Sequence, residues 1–519
     1  MVRSTAEAVQ RRLESFRRWA GGIELGLNLA RATFQTLFVL GIAVLDPFAM
    51  SEKAKESARD FALRVTAPFY AREAQERIVV ILIDDEDLNS DIYGFSKPLP
   101  WPLPPAVEIA LLRTIATYGP RAVFIDLLYG RVGDDPAGFQ DLLRTMDVYR
   151  TQFPIYVAAN PGSARGDGVD GVLPEVAATV ALAPTDWCGP PGEYPLAVGS
   201  RDGTVRLTPA AAMYRDALRA GVTAGGSATE AETLQRLLAL EAPRPWPPGA
   251  TWCDGAPHTV PTLQVQWGWW TSDKAEYAAI MRPCPNWRGN EKSNWCVAAE
   301  HLWRGASAGL RGGSLAMELG CYSHTTINLR SLANMPDDRK AYIFTDAFVI
   351  IGARLDGAND FVLSPAIGRI PGAHLHAMAL DNLLTEGFGF LRKPETIFGA
   401  FTWQDVSLII IGFTQILIAN IIAYSSHKNS SKENEIDCAV VCIKGILLLQ
   451  FFMLIICMFI ILFEWFYMRW APYNIVALLA VWFAVFVIIV DDLILIGLRH
   501  VKVACNNMKT RLTRKEHLS

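Results

Sequence analysis

Short and long apolar runs are segregated along this chain, and the two kinds predict different surroundings. Ile78-Val79-Val80-Ile81-Leu82-Ile83 is uninterrupted and mostly β-branched, and it runs straight into the acids Asp84, Asp85, Glu86 and Asp87. A run without polar alternation predicts a central strand covered on both faces. A Pro-rich loop with Trp101-Pro102 follows. Pro105 then opens a helix predicted over 106–118, with Val107, Leu111, Leu112 and Ile115 at helical spacing. Gly119-Pro120 ends it, and Ala122-Val123-Phe124-Ile125-Asp126 reads as a second buried strand. A helix around 139–146 and a strand over 154–158 continue the rhythm. Such alternation predicts an α/β layered domain, a mixed sheet with flanking helices. The rhythm loosens over 180–340. It returns with the strand Phe348-Val349-Ile350-Ile351-Gly352, expected to end at its glycine, and with a helix predicted over 374–384.

The long runs lie towards the two ends. Residues 406–424, 438–463 and 473–498 each match the roughly 20 apolar residues that cross a bilayer. Lys444 lies near the start of the second, where it can snorkel, and Trp465, Phe466, Tyr467 and Trp470 between the second and third suit the headgroup layer. Near the N-terminus, Asn28, Arg31 and Gln35 interrupt an apolar stretch whose clean part is only 32–45, the size of a signal-peptide core. No small-residue cleavage site follows, so 23–47 is read as an uncleaved transmembrane anchor. Arg3, Arg11, Arg12, Arg17 and Arg18 precede it, and Arg499, Lys502, Lys509, Arg511, Arg514 and Lys515 follow the last span. Positive flanks stay in the cytoplasm. The expected plan is therefore a basic amphipathic segment over 1–22, an extracytoplasmic domain over 48–400 with an insertion over 180–340, and a short basic tail over 499–519. Four transmembrane helices, one N-terminal and three C-terminal, place both termini in the cytoplasm.

Composition changes this picture in two places. The formal net charge of −4 comes with no basic face of the size that tracks phosphates, so no nucleic-acid partner is expected. The predicted outer domain holds Cys188, Cys253, Cys284, Cys296 and Cys321 in a stretch rich in Trp and Pro. An oxidising compartment makes disulfides the natural reading, and Cys284 with Cys296 is the candidate pair. No Cys-x-x-Cys or His-x-x-x-His spacing supports a metal site, and no cofactor is expected. His374 and His376, at a predicted helix start, read as capping or packing residues. Asp491 and Asp492 fall within the last span, where an acid is functional unless it reaches the interface.

Asp85 and Asp126, at strand ends, could line the crevice where α/β folds bind ligands; equally, they could cap helices or steady loops. Three stretches extend this reading. They are Ile81-Leu82-Ile83-Asp84-Asp85 followed by Trp101-Pro102; Gly119-Pro120-Arg121-Ala122-Val123-Phe124-Ile125-Asp126-Leu127-Leu128-Tyr129; and Val349-Ile350-Ile351-Gly352 through Asp360, Pro365 and Pro371-Gly372-Ala373-His374 to Leu380-Asp381-Asn382-Leu383-Leu384. Their order, with one span before and three after, resembles the second type of CHASE domain, a sensory domain on bacterial cyclases and histidine kinases. The likeness covers both ends of 50–400 and leaves the middle unmatched. It implies a bacterial inner-membrane sensor with a periplasmic or extracellular ligand, for which Asp84, Asp85, Trp101, Asp126 and Asp360 are the candidate binding residues. The family tends to carry an arginine shortly after the Trp-Pro; here Leu103-Pro104-Pro105 stands instead, which points to a different ligand.

About twenty residues follow the last span, too few for a folded catalytic domain. The chain also has no Gly-x-Ser-x-Gly elbow, no Walker-type loop and no metal triad, so it is expected not to be an enzyme. The function that follows is a receptor-like subunit, expected to form homo-oligomers and to act through a separate cytoplasmic output protein. The alternative is a membrane effector of a stress or defence system working through its transmembrane helices.

Overall fold

The computed structural model describes residues 50–71, 73–161, 170–187, 192–200, 204–221, 230–241, 260–268, 296–298, 322–357 and 360–392, with scattered positions between 396 and 469. The chain divides into two units, Asp60–Lys393 and the two flanks Met1–Arg59 with Pro394–Ser519.

The Asp60–Lys393 unit opens on the second half of helix α1 (Met50–Thr66) and is built around β1 (Ile78–Asp84), every residue of which is buried. Alternation along β1 sends Val79, Ile81 and Ile83 into one apolar core and Ile78, Val80 and Leu82 into another. After β1 come α2 (Asp85–Leu88), α3 (Pro105–Ala116), β2 (Ala122–Ile125), α4 (Pro136–Tyr149), β3 (Ile155–Ala159), α5 (Pro174–Thr179) and β4 (Ala181–Pro184). The chain then makes β5 (Glu193–Pro195), β6 (Ala197–Gly199), β7 (Val205–Leu207), α6 (Pro209–Arg219), α7 (Glu230–Glu241) and β8 (Thr262–Gln264). It returns to the sheet with β9 (Thr325–Asn328), α8 (Leu329–Asn334), α9 (Asp337–Phe344) and β10 (Phe348–Arg354), and closes with β11 (Phe361–Ser364), β12 (Gly368–Pro371) and α10 (Ala373–Glu386).

The main sheet has six strands in the order β4-β3-β2-β10-β1-β9, all parallel. The crossovers β1 to β2, β2 to β3, β3 to β4 and β9 to β10 all step in the same direction across this order. Right-handed connections that step one way place their helices on one face. Residues of α3, α4, α5, α8 and α9 accordingly share a core with Val79, Val123, Val157 and Val349. The opposite face needs separate cover, and α6 and α10 supply it against Val80, Phe124, Ala158 and Ile350.

Three local differences from the sequence expectation have simple causes. β10 does not stop at Gly352 but continues to Arg354, because Gly352 pairs with Leu82 and Arg354 with Asp84 in the central ladder. A Cβ on Gly352 would lie 2.6 Å from the Cβ of Ala373, so the glycine lets the first turn of α10 settle on the strand. The stretch around Ser364-Pro365 is an antiparallel hairpin of β11 and β12. The 180–340 region, though irregular in pattern, supplies α6, α7, β8 and the edge strand β9.

In the other unit, Thr396–Ile397 pairs antiparallel with Phe401–Thr402. Phe451, Phe452, Ile455, Ile456, Phe459 and Phe463 are helical and exposed there. No helix among the described residues is long and apolar enough to cross a membrane. The spans predicted at 23–47 and 473–498 lie outside the described residues, as do all but scattered positions of 406–424 and 438–463.

Candidate functional site

The carboxyl ends of the central strands carry the acids singled out from the sequence. Asp84 closes β1 and caps α2: its Oδ1 accepts the Asp87 N–H at 2.9 Å, while the Asp87 carboxylate accepts the Asp84 N–H at 2.9 Å. This reciprocal arrangement satisfies amide donors that a helix start leaves open. Asp87 also accepts the N–H groups of Leu329 (3.2 Å) and Arg330 (2.8 Å), which fixes the first turn of α8. Asp85 is exposed and accepts the Asp356 N–H at 3.1 Å. Within the acidic run, then, Asp84 and Asp87 serve the backbone, and no group of three or more metal-competent side chains occurs among the described residues.

Asp84 has a second role. Its Oδ2 is buried with no hydrogen-bond partner and lies 3.7 Å from the Arg354 guanidinium, its register partner on β10. Arg354 donates to the Tyr322 hydroxyl at 3.2 Å. The Tyr322 ring stacks on His374 with centroids 4.4 Å apart and planes 5° apart, and His374 in turn faces His324 at 6.5 Å. Burial and the neighbouring His324 push His374 well below the usual imidazole range. His374 Nε2 and His324 Nδ1 are both buried without partners.

The line continues along α10. His324 Nε2 lies 3.1 Å from Asp381 Oδ2, and Asp381 Oδ1 accepts from the Tyr70 and Thr385 hydroxyls, each at 3.2 Å. Burial raises the Asp381 carboxyl, and the bonds from His324, Tyr70 and Thr385 offset part of that rise. Beside it, the Asn382 amide donates to the Tyr70 hydroxyl (2.8 Å) and to the Gln266 carbonyl (2.9 Å), and it accepts the Gln266 N–H (2.7 Å). Two adjacent residues of α10 thus hold the sheet edge through His324, the segment after β8 through Gln266, and the chain just beyond α1 through Tyr70.

A second branch starts at Asp126, buried just past β2, whose N–H donates to the Ile351 carbonyl at 2.7 Å. Its carboxyl lies 3.8 Å from His376 Nε2, and His376 Nδ1 meets the Tyr194 hydroxyl at 2.8 Å. That hydroxyl also accepts the Ala210 N–H at the start of α6. The Asp126–His376 distance fits an ion pair, but burial opposes charge on both. It pushes His376 down to about 3, and with the Asp360 charge it holds Asp126 well above the carboxylate range. Both shifts run against an ion pair here. Asp360, an exposed residue, accepts the Gly372 N–H with its carbonyl at 3.0 Å, and its Oδ1 would be 2.3 Å from a Cβ on Gly372.

Asp126 and Asp360 therefore meet beside the start of α10, and Asp84 is linked to that helix only through Arg354, Tyr322 and His374. Asp85 stays on the rim and Trp101 stands exposed on the loop before α3. Cys296 is exposed on a helical turn, while Cys284, Asp491 and Asp492 lie outside the described residues, so the cysteine pairing and the intramembrane acids do too. The sequence reading missed Tyr70, Tyr194, Tyr322, His324, Arg354, Asp381 and Asn382. One signal was present: Asp381 and Asn382 interrupt an otherwise apolar helix that includes Ala377, Met378, Ala379, Leu380, Leu383 and Leu384. Polar residues in such a stretch are buried only with partners.

The chemistry of this assembly is positional. Imidazoles, carboxyls and hydroxyls connect elements that belong to distant parts of the sequence. A family model for the CHASE2 domain matches residues 35–419. Comparisons with curated proteins and with solved structures gave no match.

Proposed function

We infer that this chain, which belongs to the CHASE2 domain family, is the sensing subunit of a transmembrane signalling system. CHASE2 is a sensory domain found in signalling proteins. In this reading the Asp60–Lys393 unit faces the periplasm or the extracellular space of a bacterium and responds to a ligand there without chemical turnover. Four spans anchor it in the inner membrane with both termini in the cytoplasm, as a homo-oligomer. The output is assigned to a separate cytoplasmic protein.

The observation that carries this reading is the Tyr70–Asp381–Asn382 junction. Tyr70 lies just past α1, where the chain comes into the unit, and α10 is the last helix before it leaves at Lys393. Both ends of the unit are fastened to each other and to the sheet in one buried network. A ligand that favours one arrangement of α10 shifts the path of both ends, and the shift is limited to the difference in its affinity for the two arrangements.

The test is cross-linking followed by co-purification of the full chain from native membranes, for wild type and for Asn382→Leu. The same cytoplasmic signalling protein should be recovered reproducibly with wild type, and its yield should change in the variant. Recovery of the chain alone under every condition would overturn the reading.

A further inference from the structure

Three soft or borderline donors gather between α10 and the segment that leads into β9. His374, in the first turn of α10, and Met378 are four residues apart, so they share one face of the helix. Ser323 and His324 lie just before β9. The Ser323 hydroxyl is 3.5 Å from Met378 Sδ, and the His324 and His374 ring centroids are 6.5 Å apart. His324 and Met378 are fully buried and His374 is 2 % exposed.

Two of these donors have an unused nitrogen. His324 Nε2 faces Asp381 Oδ2 at 3.1 Å. With Asp381 ionised, the proton of that contact sits on Nε2 and the lone pair falls on Nδ1. His324 Nδ1 and His374 Nε2 are both buried with no hydrogen-bond partner. Buried polar atoms of this kind call for an explanation, and two on neighbouring rings beside a thioether share one. A histidine backed by a carboxylate on its other nitrogen is the usual arrangement behind a metal ligand. An ion about 2 Å from each nitrogen holds two imidazole centroids roughly 5 to 6.5 Å apart, depending on the angle at the ion. The observed separation matches the open, near-linear end of that range. Burial and the neighbouring His324 lower the His374 imidazole, the direction that leaves its lone pair to a metal.

The donor set also selects the ion. Among the described residues no three His, Cys, Asp or Glu side chains gather at one point, so the sets that hold zinc are not formed. Two imidazoles and a thioether suit a soft ion of low coordination number, and thioethers favour monovalent copper. Charge agrees: Asp381 is the carboxylate in contact with the set, while Arg354 is engaged by Tyr322 and Asp84. One positive charge balances one carboxylate, which a buried site requires.

We propose that His324, His374 and Met378 form a buried site for a single monovalent copper ion, with Asp381 orienting His324. The proposal deepens the sensory reading by naming its ligand class and rests on that reading for its consequence. An ion there ties the chain before β9 to the first two turns of α10, next to the Asp381 and Asn382 contacts that fasten the same helix.

The test is anaerobic titration of the full chain in lipid nanodiscs, cysteines alkylated beforehand, with copper(I) held by a chromophoric chelator and zinc(II) as the control. Wild type should bind copper(I) with a midpoint below about 1 µM, and zinc(II) far more weakly. Met378→Leu conserves volume and should keep the melting temperature of the metal-free protein while weakening copper(I) roughly tenfold or more. His374→Phe should remove one bound equivalent, and X-ray absorption of the wild-type complex should show imidazole nitrogen with one sulfur. Unchanged copper(I) binding in both variants, or zinc(II) bound as tightly as copper(I), overturns the proposal. If copper(I) binds as expected but partner recovery does not respond to it, the site stands and the sensory reading fails.

Discussion

Glu108 offers the sharpest quantitative test of this architecture. It sits in the first turn of α3, 8 % exposed, on the helix whose Val107, Leu111, Leu112 and Ile115 fill the core against the sheet. Its Oε2 accepts the Tyr129 hydroxyl, and Tyr129 is buried as well. Burial pushes the carboxyl from its ordinary 4.5 up to about 7, with the Tyr129 bond pulling part of the way back. At about 1.4 kcal/mol per pH unit, that displacement corresponds to roughly 3 kcal/mol. Below pH 4.5 the folded and unfolded states are both protonated at this group. Between 4.5 and about 7 the folded state holds a proton that the unfolded state has released, so stability falls as pH rises. Above about 7 the whole cost of ionising the buried group is present. Glu108→Gln keeps the acceptor for Tyr129 and removes the titration. Thermal unfolding of the full chain at pH 5 and pH 8 reads the difference. The wild-type midpoint should fall about 5 °C further than that of the Gln variant over this interval. Other groups titrating in the same window drop out of the comparison. Parallel pH profiles for the two proteins would refute the reasoning.

Three further expectations concern single contacts. Asp87→Ala strips acceptors from the N–H groups of Asp84, Leu329 and Arg330 and should cost roughly 3–5 kcal/mol in chemical denaturation, with Asp87→Asn intermediate; a loss below about 1 kcal/mol would contradict the double capping role. Gly352→Ala drives a methyl against Ala373 and should cost about 1–3 kcal/mol, most of it recovered in the double variant with Ala373→Gly; strict additivity of the two changes would show that the close approach of α10 is not the cause. Asp381→Ala leaves His324, Tyr70 and Thr385 without their shared acceptor and should lower stability by about 3–5 kcal/mol, measured by denaturant unfolding, while Tyr70→Phe costs about 1 kcal/mol; equal losses from the two would mean the carboxylate is not the centre of the network.

The central strands were legible because Ile78-Val79-Val80-Ile81-Leu82-Ile83 and Phe348-Val349-Ile350-Ile351 have no polar position to compete with burial on both faces. The edge strand β9 was not, since Thr325-Thr326-Ile327-Asn328 is short and polar, and only pairing with β1 makes it a strand. The positions of Asp84 and Asp126 at strand ends were readable, but their chemistry was not. Asp84 differs from a bare ligand-binding acid through Asp87, three residues on, and that spacing is a helix-start signature visible in the sequence. The remaining partners lie beyond local pattern altogether: Tyr70 and Asp381 are 311 residues apart, and His324 and Asp381 57 apart. No periodicity of 2 or 3.6 connects such pairs.

The connection between β4 and β9 changes meaning once the sheet order is known. Taken as sequence it is an irregular, Trp-rich interruption between two regular halves. In the fold, the chain leaves the sheet at one edge and re-joins it at the other, so this segment must traverse the molecule. The crossovers that precede and follow it put their helices on one face, which leaves Val80, Phe124 and Ile350 to be covered by something else. Tyr194, Leu196, Ala210, Met213, Tyr214, Leu263 and Trp267 do so, together with α10. The segment is half of a two-sided core, and the sheet is not self-sufficient without it. It also brings Arg206 and Arg215 to the edge of β4 and Gln266 to Asn382. A single stretch of chain therefore covers the edge of β4 and builds one side of the junction that fastens α10. The edge of β4 and α10 are linked through adjacent packed elements within it, since α6 contacts both.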